Sequence, residues 1–181
     1  MMLDPVVGLL MVTTIALLFG SAAVHKLRDL RRFDEIFAAY EILPAGAGRI
    51  LGRGIPVLEL LVALGLLSEA SRPYAAVAGV LLLLTYAAAI GVNLRRGRRD
   101  LSCGCGGPND RRPIAPWMVG RNVVIALILA GSALLPWTGR PLGITDVVTL
   151  TFGLLTLALI YLCIDQLMDY ARRVAQLRGL R

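Results

Sequence analysis

The chain has 181 residues, 57% of them hydrophobic, with a mean hydropathy of +0.72. Only 17% are charged, below the roughly 25% of globular domains, which excludes an ordinary soluble fold. The net charge of +7 does not indicate a nucleic-acid partner, because the charges gather at the ends of apolar blocks and form no aromatic-rich basic face.

The apolar residues fall in blocks near the ~20 residues that cross ~30 Å of hydrocarbon. Five spans are expected in one transmembrane domain, at about 6–24, 50–67, 73–94, 116–137 and 146–168. The first is charge-free and is followed, not preceded, by Lys26, Arg28, Arg31 and Arg32. A cleavable signal peptide has the opposite order, so this segment reads as a retained helix. Between spans one and two, Leu30, Phe33, Phe37 and Tyr40 recur at helical spacing among charges. They predict an amphipathic interfacial helix over about 28–42, ended by Pro44, Gly46 and Gly48. Trp117 and Trp137 bracket the fourth span, as interfacial aromatics do. The expectation is an all-α membrane bundle of four core helices plus a fifth.

Of the 19 Lys and Arg residues, 17 fall on one side of this layout and only Arg72 and Arg140 on the other. The positive-inside rule then puts the N-terminus outside and the C-terminus in the cytoplasm. The 95–115 loop would also be cytoplasmic.

That loop carries the sharpest chemistry. Cys103-Gly104-Cys105 lies beside Arg95, Arg96, Arg98, Arg99, Arg111 and Arg112. An i,i+2 disulfide is geometrically allowed but strained, hence readily reduced, and Gly104 with Gly106-Gly107 gives backbone freedom. Fixed positive charge favours the thiolate, which points to thiol–disulfide exchange. A two-coordinate soft ion, Cu(I) or Hg(II), is the competing ligand chemistry. A closed zinc site is short of donors, with three Cys and one His in the chain. The plain alternative is a glycine-rich loop with inert thiols. Cys163, amid Leu162 and Ile164, reads as a small hydrophobe or as a resolving thiol.

Polar groups inside spans are functional hypotheses by default. Glu59 and Arg121 differ in expected depth by roughly 6 Å, so they are expected to pair, with Asn122 alongside, as an interhelical staple or a working site. His25 is a candidate proton shuttle or a polar end-cap, Lys26 a snorkelling anchor, and Asp165 a solvated carboxylate.

These features together resemble the methylamine utilisation protein MauE family, within the DoxX-like group of small membrane proteins. The resemblance rests on His25-Lys26-Leu27, Tyr40 with Leu43-Pro44, and Glu59. It rests above all on Asn93-Leu94-Arg95-Arg96-Gly97-Arg98 leading into Cys103-Gly104-Cys105-Gly106, with Arg121-Asn122 downstream. Gly107 stands where relatives more often carry an aromatic. The resemblance implies a DoxX-like bundle that supports maturation of methylamine dehydrogenase, whose small subunit is disulfide-rich, beside a thioredoxin-like partner. It also implies quinone-linked electron transfer, for which Glu59, Arg121 and Asn122 are the candidate binding residues. Cys103, Cys105, His25, Glu59 and Arg121 are the candidate catalytic set. A non-catalytic scaffold that docks a redox enzyme or lipoprotein subunit, and soft-metal transport, are the other readings. Maturation of an exported subunit and a cytoplasmic cysteine loop pull in different directions.

Overall fold

The computed structural model describes residues 2–42, 45–102 and 113–178. It is an all-α membrane protein with six helices among the described residues: α1 (Pro5–Arg28), α2 (Leu30–Ala39), α3 (Ala45–Leu67), α4 (Arg72–Arg95), α5 (Pro116–Leu134) and α6 (Ile144–Arg178). Among the described residues, four are singled out by length and apolarity as able to cross a membrane, Pro5–Arg28, Arg72–Arg95, Pro116–Ala133 and Ile144–Ile164. With 23 residues, α3 has the length of a fifth crossing.

Local signals set the ends. Asp4 caps α1 by accepting from the Val6 N–H at 2.9 Å, with Pro5 opening the helix. Asp29 does the same for α2 through the Arg32 N–H at 3.0 Å, so α1 and α2 are separated by a single residue. The interfacial helix is shorter than the sequence implies, and α3 starts at Ala45, running through Gly46 and Gly48 rather than stopping before them. In α6 the helix continues past the expected span to Arg178.

The helices α1, α3, α4 and α5 form a ring of neighbours: α1 packs on α3 and α5, and α4 packs on the same two. Their shared core joins Val12, Ile15, Ala16 and Phe19 of α1 with Val62, Ala63 and Leu66 of α3. Ala76 and Leu82 of α4 and Ala126 and Leu129 of α5 complete it. Small residues are prominent inside, while Leu17, Leu61, Leu64, Leu81 and Leu127 point outward at 59–67% exposure. That inside-out distribution suits lipid, where close backbone approach holds helices together. Gly79 shows how close: a Cβ there would stand 2.8 Å from Leu129 Cδ2, 3.2 Å from Val62 Cγ1 and 3.3 Å from Phe19 Cε2.

Outside the ring, α6 runs parallel to α1 with Gly153 against Leu10. Its start is tied to the start of α1 by Arg140, which forks onto Asp4 at 2.9 and 3.2 Å and onto Asp146 at 2.8 and 3.0 Å. A short parallel bridge between Leu3 and Trp137 closes the same end.

Candidate functional site

The opposite end holds the chemistry, in two layers. The deeper layer lies inside the ring. Lys26, two residues before the end of α1, is 5% exposed, and Glu59 of α3 is 1% exposed. Lys26 Nζ donates to Glu59 Oε1 at 2.5 Å, and Tyr86 of α4 donates its hydroxyl to the same oxygen at 2.6 Å. The ammonium also sits 4.8 Å from the Tyr86 ring centroid and 5.2 Å from that of Phe33 in α2. Two aromatic faces and a carboxylate thus replace the water that a lysine would otherwise seek. Glu59 Oε2 is buried and makes no hydrogen bond among the described residues.

This differs from the expected pairing of Glu59 with Arg121. Among the described residues, α3 and α5 stand diagonally across the ring, and their backbones do not approach closely. Glu59 therefore meets the neighbouring helices, α1 and α4. Arg121 instead donates to the Tyr161 hydroxyl of α6 at 3.2 Å and lies 5.2 Å from the Trp117 ring. Lys26 is not a snorkelling anchor either, because α2 folds back under the end of α1 and Phe33 closes over it. Asn122 is 3% exposed, and its Nδ2, like His25 Nδ1, has no hydrogen-bond partner among the described residues. Cys163 is exposed on α6 rather than buried.

The second layer is the base of the cysteine loop. Cys103, Gly104 and Cys105, with Arg111 and Arg112, lie outside the described residues. At the end of α4, Gly97 adopts φ +74° and the Arg98 N–H reaches back to the Asn93 carbonyl at 3.0 Å. The Gly97 N–H bonds the Leu94 carbonyl at 3.1 Å, completing a Schellman cap that only a residue tolerant of left-handed backbone closes cheaply. The cap throws the Arg98 side chain back onto α2, where it donates to the Ala39 carbonyl at 2.9 Å and to Glu41 Oε1 at 3.0 Å. Asn93, fully buried, donates to the Tyr40 carbonyl at 3.2 Å. Below this clasp the two arms of the loop pair: Ser102 bridges Pro113, and the Ile114 N–H bonds the Leu101 carbonyl at 2.8 Å. Tyr40, Ile90, Ile114 and Met118 pack beneath.

Sequence reasoning passed over Tyr86, a polar-tipped aromatic in the middle of the apolar run of α4, and gave Arg98 only a charge when it also closes a clasp. Glu41, at φ +49°, lies within the predicted amphipathic helix but beyond the end of α2 at Ala39, and no signal in the sequence marks its turn.

The fold and site are those of a helical membrane protein with a buried lysine–glutamate pair, whose sequence carries Cys-Gly-Cys between the arms that pair at Ser102 and Pro113. The profile of the methylamine utilisation protein MauE family matches residues 4–138, which span α1 to α5, and the chain belongs to that family. The methylamine utilization protein MauE of Paracoccus denitrificans is 38% identical over 149 residues, covering 82% of this chain and 80% of that one. Its counterpart from Methylophilus methylotrophus is 32% identical over 172 residues, covering 92% and 88%. No solved structure matches.

Proposed function

We propose that this chain is the membrane component of a thiol–disulfide system serving methylamine utilisation, with Cys103 and Cys105 as its exchanging pair. The observation that supports the reading is the neck: two paired arms and an Arg98–Asn93 clasp hold the chain in place where the Cys-containing segment begins and ends. A fixed base of this kind suits a segment that must meet a partner in a set orientation. Arg96 and Arg98 bring guanidinium charge to that base, which favours thiolate over thiol. A thioredoxin-like protein or an exported enzyme subunit is the proposed exchange partner, in the bacterial inner membrane, with the cysteine loop on the cytoplasmic face that the arginine distribution favours. Here Lys26, Glu59 and Tyr86 hold α1, α3 and α4 together, and His25 and Arg121 are proposed to serve proton handling.

The test is a Cys103→Ser/Cys105→Ser chain in a methylamine-grown host, followed by growth and by the disulfide state of the methylamine dehydrogenase small subunit. Loss of both with unchanged membrane levels is expected. Wild-type growth would discard the exchange role. It would favour a scaffold, a reading supported by the buried pair, which braces the bundle and needs no cysteine.

A further inference from the structure

At the end of α4 the arginines differ in how they are engaged. Arg98 is held by Glu41 at 3.0 Å. Arg95 and Arg99 are exposed, and neither makes a hydrogen bond or ion pair among the described residues. Arg96, also exposed, uses one nitrogen on the Glu41 carbonyl at 3.3 Å and keeps the rest of its fork of donors. At the other end of the bundle Arg140 is held by Asp4 and Asp146, and Arg72 by the Leu66 carbonyl and the Trp137 ring. With Arg98 and Glu41 paired, Arg95, Arg96 and Arg99 are left with Asp100 as the one acid in the same stretch of sequence, so the surface there is positive.

These guanidiniums stand at the foot of an apolar stripe. Leu81, Leu84, Ala88 and Val92 recur at three- and four-residue spacing on α4, all exposed, and Arg95 takes the next place in the series. Arg96 falls on the other side of the stripe's axis, so the two arginines flank its end. Thr85 shares this side, but its hydroxyl donates to the Leu81 carbonyl at 2.7 Å, which keeps the stripe apolar. From Leu81 to Arg95 the helix rises about 21 Å, close to the ~20 Å from the middle of a bilayer to the outside of its headgroups. A soluble anion would use the guanidiniums alone. A phospholipid in the adjoining leaflet uses both the stripe and the charge.

We infer that the end of α4 is a binding site for an anionic phospholipid. Its acyl chain lies along Leu81, Leu84, Ala88 and Val92, and its phosphate is held by Arg95, Arg96 and Arg99, whose guanidiniums match phosphate oxygens in pairs. An anionic headgroup fits better than a zwitterionic one, because Glu41 is already engaged by Arg98 and is not available to an ammonium. The bound lipid fixes the end of α4 just where the Gly97 turn begins and Arg98 reaches α2. The site stands independently of the exchange role proposed above.

The experiment uses the full chain in detergent micelles. Dimyristoyl phosphatidylglycerol and dimyristoyl phosphatidylcholine are added in equal amounts, and the bound lipid is read by native mass spectrometry. The wild-type chain should retain phosphatidylglycerol in preference. Arg95→Gln/Arg99→Gln should reduce that preference by roughly fivefold for each arginine removed, while Arg95→Lys/Arg99→Lys, which keeps the charge, should retain most of it. Arg28→Gln/Arg31→Gln removes the same charge from exposed positions where α1 meets α2 and should leave the preference unchanged. Equal loss in the two glutamine variants would reveal a response to net charge and overturn the site. Equal retention of the two lipids by the wild type would also overturn it, and would leave the arginines to an acidic protein surface. Glycerophosphoglycerol, the headgroup without its chains, should not displace the bound lipid at equal concentration; displacement would make this a soluble-anion site and overturn the lipid.

Discussion

Lys26 Nζ and Glu59 Oε1 lie 2.5 Å apart between α1 and α3, both almost wholly buried, with the Tyr86 hydroxyl on the same oxygen. A pair of this kind is costly to break and cheap to replace, since removing one partner strands a buried charge. Lys26→Met should therefore lower bundle stability by about 3–5 kcal/mol. The double variant Lys26→Met/Glu59→Leu should recover most of that loss. Thermal unfolding in detergent checks both; a double variant no better than the single would show that the pair does more than brace helices.

Much of this arrangement could be read from the chain. The spans emerge because long apolar blocks are a coarse, length-based signal, and the amphipathic helix emerges because Phe33, Phe37 and Tyr40 repeat at its period. The partner of Glu59 does not, because depth along a helix is one-dimensional and the ring order of helices is not written in spacing. Arg121 had the right depth on a diagonal helix; Lys26 had the wrong-looking depth, at a helix end, on a neighbouring one. The clasp is illegible for a related reason. Arg98 sits in an arginine run that serves equally as a topology signal, and only the Gly97 turn aims its side chain at α2.

Gly79 sits where α1, α3, α4 and α5 converge, and an added methyl there would crowd Leu129, Val62 and Phe19. Gly79→Ala should destabilise by about 1–3 kcal/mol as overpacking does. The nearest atom is the end of a flexible leucine, so Leu129→Ala in that background should cost less than Leu129→Ala alone. Unfolding midpoints of the two singles and the double give the coupling directly.

The clasp at the loop base predicts a local effect rather than a global one. Arg98→Ala removes donors to the Ala39 carbonyl and to Glu41, and hydrogen bonds involving a charged group are worth about 1.5–3 kcal/mol. Amide exchange at Leu101, Ser102 and Ile114 should accelerate, while exchange in the core around Leu66 and Leu129 stays slow. Asn93→Ala should act in the same direction, because it strips a donor from the Tyr40 carbonyl. Uniform acceleration through α4 and α5 would mean that the clasp supports the whole bundle.

At the far end, the Arg140 guanidinium hydrogen-bonds Asp4 and holds its carboxyl below the ordinary value of 3.8, with the Val6 N–H adding to the effect. A carboxyl whose pKa is lower folded than unfolded contributes stability above the unfolded value, and that contribution is lost as pH falls through the folded one. The tie between the starts of α1 and α6 should therefore hold at neutral pH and loosen below about pH 4. Both groups are solvent-exposed, so the effect on global stability is small and salt-sensitive. Trp137 reports on it locally: its ring packs on Gly8 and lies 4.4 Å from the Arg72 guanidinium, in the segment bridged to Leu3. Its fluorescence should change between pH 5 and 3 in the wild type. In Asp4→Asn the tie is already weakened at neutral pH, so the acid-induced change should shrink, and an undiminished change would place its origin in another carboxyl.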